Sequence, residues 1–223
     1  MSSSGYRNYQ GCIIYPVDIV CLEDGNWLND TCIHMSMLRL QTLYASTSLL
    51  FLDPTVISYF NLQLDSSTEK IQFIRDLNLP SKSYVFIPLS DRLTLQSPST
   101  HWSLLIFHVP SFTFLHFDSI QSKNIDAAVL TMQNLLIGFQ HATMNCQIIQ
   151  AKTPQQKNSY DCGVHAVFSA EILSEKLSQS SDDLLSCKEA LETLLINRIT
   201  ASPDVIRSYR QQLLSFAESL PIC

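Results

Sequence analysis

Cys162 stands at the head of an apolar run in which Val164, Val167, Phe168 and Ile172 recur at helical steps, and Gln156 lies six residues before it. A thiol placed there meets the positive end of a helix dipole and unsatisfied N–H groups, a setting that favours negative charge on sulfur. The neighbouring Gly163, without a Cβ, lets another backbone approach beside the sulfur. A second reading stands beside this one, since most cysteines are small buried hydrophobes. A nucleophile also needs a base. Trp102 to Val109 and Phe112 to Phe117 form a hairpin pattern around Pro110 and Ser111. With a tight loop at Val109 and Pro110, His101 falls opposite Asp118; a longer loop slips the register by a residue or two and keeps the pair within reach. The alternative is a chance pairing in a chain with six histidines.

Together these residues are the parts of a cysteine hydrolase. His101 would take the thiol proton and later give it to a leaving amine. Asp118 would orient the ring and stabilise its charged form. Gln156 would set an amide N–H beside the backbone N–H of Cys162, giving two donors for an oxyanion. The order His, Asp, Cys along the chain is no obstacle, because geometry and not order defines a triad.

The elements that must position these groups follow from the same kind of reading. Residues 1–12 read as a flexible arm. Ile13 to Tyr15 and Val17 to Leu22 read as a short strand broken at Pro16, before a turn at Glu23 to Asn26. Trp27 to Tyr44 reads as an interior helix capped by Asn29 or Asp30. Asp53–Pro54 and Ser67 to Glu69 each open a helix, Tyr84 to Leu89 is a strand, and Ser90 to Thr100 is a polar loop. A helix over Ile125 to Phe139 and a strand over Cys146 to Ala151 precede the Cys162 helix. Helices over Asp182 to Ile199 and Asp204 to about Leu220 come after it. Strands in the middle and helices at both ends give an α+β architecture, and the chain, without repeat or linker, reads as a single catalytic domain over 1–223.

The composition removes several classes. Fourteen basic residues against twenty acidic ones give a net charge of −6, which argues against nucleic acid as a partner. No apolar run has membrane-span length, and the N-terminus has no signal-peptide pattern, so neither membrane nor secretion is expected. Seven cysteines with no CxxC exclude a zinc ribbon or a thioredoxin motif and fit a reducing compartment. Cys162 and His165 find no second ligand pair, so neither a metal nor a cofactor is expected.

Trp27-Leu28-Asn29-Asp30, His101-Trp102-Ser103-Leu104, Phe117-Asp118-Ser119 and the Gln156–Cys162–Gly163 spacing occur together and in order. In this the chain resembles the ubiquitin-like-protein proteases, the sentrin-specific protease family, from about residue 13 to the end. The run Asn158 to Gly163 is most similar to the deneddylase branch. The resemblance implies a papain-like cysteine protease fold, with a central mixed or antiparallel sheet flanked by helices. It implies cleavage after the Gly-Gly end of a ubiquitin-like modifier, most closely the neddylation modifier, in its precursor and in conjugates such as cullins, in cytoplasm or nucleus. SUMO- or ubiquitin-directed cleavage is the alternative within the family; an inactive modifier-binding module is the alternative outside enzymes. His101, Asp118 and Cys162 match the triad, and Gln156 the oxyanion glutamine. Trp27 and Trp102 match two indoles over the glycine tail, and Asp30 the acid that meets a basic tail residue. On chemistry alone Trp27 can also be a core anchor, and Asp30 only a helix cap. Two departures stand out: a short segment before Trp27, and a loop at 93–100 without the glycines usual before the histidine. Whether that loop gates the site is not legible from these residues.

Overall fold

The computed structural model describes residues 5–46, 48–179 and 199–223. A five-stranded mixed sheet runs in the order β3 (Leu49–Phe51), β4 (Tyr84–Ser90), β5 (Trp102–His108), β6 (Thr113–Phe117), β7 (Ile148–Gln150). The central pairs β4–β5 and β5–β6 are antiparallel, and the outer pairs β3–β4 and β6–β7 are parallel. Side chains alternate across the sheet, as strand geometry requires. Phe86, Leu104, Ile106, Leu115 and Phe117 face one core, shared with α2 (Asp30–Leu43), α6 (Cys162–Gln179) and α7 (Pro203–Ser219). Val85, Ile87, Leu105, Phe107 and Phe114 face the other, covered by α3 (Pro54–Leu62), α4 (Ser67–Asp76) and α5 (Ile125–Gly138). Helices therefore close both faces, which is why β4, β5 and β6 are buried nearly throughout and read as continuous apolar runs.

The helix starts follow local chemistry. Asp53 caps α3 through Thr55 N–H ahead of Pro54. Ser66 and Glu69 form a reciprocal capping box on α4. Asn29, not Asp30, caps α2: its side chain accepts from Cys32 N–H at 3.0 Å.

Several expectations need correction. Val17 to Leu22 is not strand but part of the helix α1 (Pro16–Leu22), because Pro16 suits a first helical turn and Asp18 accepts from Tyr15 N–H at 2.7 Å. Within the supposed arm, β1 (Arg7–Tyr9) pairs antiparallel with β2 (Cys12–Ile14) around Gln10 and Gly11, both at positive φ. The β5–β6 loop takes Val109 to Phe112, so Leu104 faces Phe117 and His108 faces Thr113; the register is the slipped one, not the tight one. Strand β3, three residues long, had no sequence signal of its own. The helix expected from Asp182 to Ile199 lies outside the described residues save for its last position. Among the described residues, no helix is long and apolar enough to cross a membrane.

Candidate active site

Antiparallel pairing places the start of β5 beside the end of β6, and the N-terminus of α6 meets them there. His101 is the residue before β5, Asp118 the residue after β6, and Cys162 the first of α6; all three are buried. His101 Nε2 lies 2.6 Å from Asp118 Oδ1. With a carboxylate on that nitrogen, Nε2 carries the hydrogen and Nδ1 is left to exchange a proton; Nδ1 is buried without a hydrogen-bond partner. Burial alone would push the imidazole down, but the hydrogen bond and charge of Asp118, with the Cys162 sulfur close by, raise it to about 9. Nδ1 stands near enough to the Cys162 sulfur to be influenced by it, though the geometry falls short of a formed hydrogen bond.

Asp118 is held from several directions. Its Oδ1 also accepts from Ile120 N–H at 3.0 Å, and its Oδ2 from Asn124 N–H at 2.8 Å. Burial pushes the carboxyl up, yet these bonds and the histidine hold it below the ordinary carboxylate range. Behind it lies a polar network that the sequence did not announce. Asn124 Nδ2 donates to Leu89 O and to Ser103 Oγ, each at 2.9 Å, and Ser103 Oγ lies 2.9 Å from His116 Nε2. His116 Nδ1 reaches Gln150 Oε1 at 3.1 Å, and burial holds this ring's pKa down, in keeping with a neutral bridge. The available signal was alternation: Phe114, His116 and Asp118, the last just past the strand's end, fall on one face, so two polar side chains follow an apolar one there.

Gln156 follows β7 and sits beside Asp118. Its backbone N–H donates to Ser119 O at 2.9 Å, its Oε1 accepts from Ser119 Oγ at 2.7 Å, and its Nε2 donates to Asn158 O at 2.7 Å. The amide is thus oriented, with its second Nε2 hydrogen uncommitted among these bonds.

A groove of about 240 Å³ leads to the sulfur, and Trp27, Asp30, Trp102, His101 and Cys162 all line it. Trp27 is 49% exposed, which removes the core-anchor reading; Trp102 is 5% exposed and donates its Nε1–H to Leu28 O at 2.8 Å. Leu28 also fills the space beside Gly163, where an added Cβ would stand 2.9 Å from Leu28 Cβ. The close approach at this glycine is made by a side chain, that of Leu28 beside Trp27, and not by the backbone expected there. Asp30, relieved of capping by Asn29, presents its carboxylate to the groove; partial desolvation pushes its pKa up against the pull of Arg92.

Such an arrangement suits acyl transfer: a sulfur and a histidine oriented by an acid meet at the groove, while Gln156 is not among the residues that line it and is held beside it by Ser119 and Asn158. Among the described residues, no cluster of three or more His, Cys, Asp or Glu is placed to hold a metal ion.

Residues 26–194 match the model of the Ulp1 protease family, C-terminal catalytic domain. The chain is similar to sentrin-specific protease 8 of Homo sapiens, 27% identical over 182 residues, covering 80% of this chain and 85% of that one. It is also similar to NEDD8-specific protease 1 of Arabidopsis thaliana, 26% identical over 215 residues, covering 96% of this chain and 92% of the relative. Among solved structures, the SUMO protease Ulp1 with its catalytic cysteine oxidized to a sulfonic acid superposes with a TM-score of 0.68 at 17% identity, over 97% of this chain and 88% of the other. The Ulp1 protease domain in complex with SMT3 gives 0.62 at 19% identity, over 97% and 90%. At these identities the structural likeness speaks for the fold.

Proposed function

Since the chain belongs to the Ulp1 protease family and is a cysteine protease, we propose that it cleaves after the C-terminal Gly-Gly of the neddylation modifier, maturing the precursor and releasing conjugates such as cullins. The observation that carries the chemistry is the buried His101–Asp118 contact of 2.6 Å at the end of the sheet where α6 delivers Cys162. The branch assignment is supported by relatives named NEDD8-specific protease 1 and sentrin-specific protease 8, which the chain covers over most of their length.

In this reading the Cys162 sulfur, its proton taken by His101 Nδ1, attacks the carbonyl carbon of the terminal glycine. The oxyanion receives hydrogen bonds from Cys162 N–H and Gln156 Nε2. The His101 imidazolium, stabilised by Asp118, protonates the departing amine and leaves a thioester on Cys162. A water that gives its proton to His101 then attacks the thioester, releasing the modifier carboxylate and the thiol. Trp27 and Trp102, which line the groove, would select an extended glycine backbone, and Asp30 would pair with a basic residue upstream. One domain carries all these parts. Parallel kcat/KM measurements on neddylation-modifier, ubiquitin and SUMO precursors test the reading. A preference of at least tenfold for the first is expected; a clear preference for SUMO would overturn the branch and leave the triad standing.

A further inference from the structure

Arg210 of α7 is 2% exposed, and it reaches the nucleophile's turn from the far end of the chain. One edge of its guanidinium is fixed: Nη1 donates to the carbonyls of Cys21, Leu22 and Glu23, at 3.2, 3.4 and 2.9 Å. The other edge holds the turn before Cys162. Nε donates to Asp161 Oδ1 at 2.9 Å, and Nη2 to Tyr160 O at 3.1 Å. The remaining Asp161 oxygen accepts from Asn158 Nδ2 at 2.6 Å, and Asn158 Oδ1 accepts from the backbone N–H groups of Tyr160 and Asp161. Asn158 O is in turn the acceptor for Gln156 Nε2, and Asp161 O accepts from His165 N–H in the first turn of α6. A single rigid fork thus fixes the turn that carries both Gln156 and Cys162. Arginine is suited to this because its donors lie in one plane and serve several acceptors together, which a lysine ammonium does not do.

From this geometry we infer that Arg210 is a positioning residue for catalysis: it sets the Asp161 turn so that the Cys162 sulfur and the Gln156 amide meet one substrate carbonyl. Arg210 and its anchoring carbonyls at 21–23 all lie outside residues 26–194, the segment that matches the family. The C-terminal helix therefore completes the reactive centre without touching substrate. The inference rests on the catalytic roles proposed for Cys162 and Gln156.

Three variants test it, Arg210→Lys, Arg210→Met and Asp161→Asn, each with Tm, kcat, KM and the rate at which iodoacetamide alkylates Cys162. Arg210→Lys keeps the buried charge and so keeps the fold, but loses the fork. It is expected to lower kcat at least tenfold, to slow alkylation, and to leave KM within threefold. Arg210→Met is expected to lose at least a further tenfold in kcat, with the lysine variant as a partial rescue. Asp161→Asn, similar in shape, is expected to act as Arg210→Lys does, and it decides the matter if the arginine variants do not fold. Unchanged kcat and alkylation, within twofold, in a folded Lys or Asn variant would reduce Arg210 to a structural tie. A loss confined to KM would also overturn the inference. Alkylation needs no modifier, so a wild-type protein that cleaves none would sink the functional reading and leave this test standing.

Discussion

Replacing Asp118 with Asn should cost catalysis in two separable ways. The carboxylate accepts from His101 Nε2, Ile120 N–H and Asn124 N–H, three donors on two oxygens. An amide offers one oxygen and turns an NH2 toward donors on its other side, so at least one of these bonds is lost and the ring's orientation with it. The charge effect can be sized. With Asp118 in place the imidazole is raised to about 9; without that charge, burial pulls it down while the nearby Cys162 sulfur still holds it up, so it falls toward the ordinary range. A full return to the ordinary value of about 6.5 takes the imidazolium fraction at pH about 7.5 from nearly all to about one tenth, so the loss of the form proposed to protonate the leaving amine is up to roughly tenfold. At pH about 6 both enzymes are mostly protonated, and the charge part of the loss shrinks to less than about twofold. Misorientation adds a factor independent of pH, so the total at neutral pH is expected at about a hundredfold or more. Single-turnover rates on a modifier precursor from about pH 6 to 9 measure both parts. A variant within threefold of wild type, or a loss of the same size at every pH, would refute the reasoning.

Gln156→Ala removes the proposed oxyanion donor and should lower kcat about a hundredfold with little change in KM; a change in KM alone would make Gln156 a substrate anchor instead. Gly163→Ala puts a Cβ 2.9 Å from that of Leu28. The overpacking should cost about 1–3 kcal/mol in urea unfolding and reduce kcat/KM, because Leu28 also holds Trp102; unchanged stability would show that the neighbour yields freely. His101 should make stability fall toward high pH. Its folded pKa, about 9, lies above the ordinary 6.5, so its contribution is complete below about pH 6.5 and disappears as pH rises through about 9. Thermal unfolding across this range should show a decline that His101→Gln flattens; equal slopes in the two proteins would count against it.

The candidate site residues were legible because each sits at a boundary that the sequence marks. His101 and Asp118 flank two apolar runs of a hairpin, and Cys162 opens an apolar helix, so topology alone brought them to one end of the sheet. The hairpin loop length, left open between a tight and a longer loop, did not matter, since both residues lie beyond the last paired positions. Val17 to Leu22 misled because a short apolar run does not distinguish strand from helix, and the deciding contact, Asp18 to Tyr15 N–H, is local capping chemistry. Arg210 and Asn124 were missed for another reason. Their roles depend on carbonyls and hydroxyls distant in the chain, such as Glu23 O and Ser103 Oγ, and no periodicity records such partners. Trp27 and Trp102 both line the groove, but only the structure separates the exposed indole from the buried one.

The central claim is that Cys162 is the nucleophile of a protease that reads a Gly-Gly tail. Its most direct measurement is peptide mapping by mass spectrometry after reaction with neddylation modifier carrying an electrophile at its C-terminal glycine. The account predicts one adduct per chain, on Cys162, formed faster than with ubiquitin or SUMO probes and absent from Cys162→Ala. An adduct that persists in that variant on Cys12, Cys146 or another thiol would contradict it.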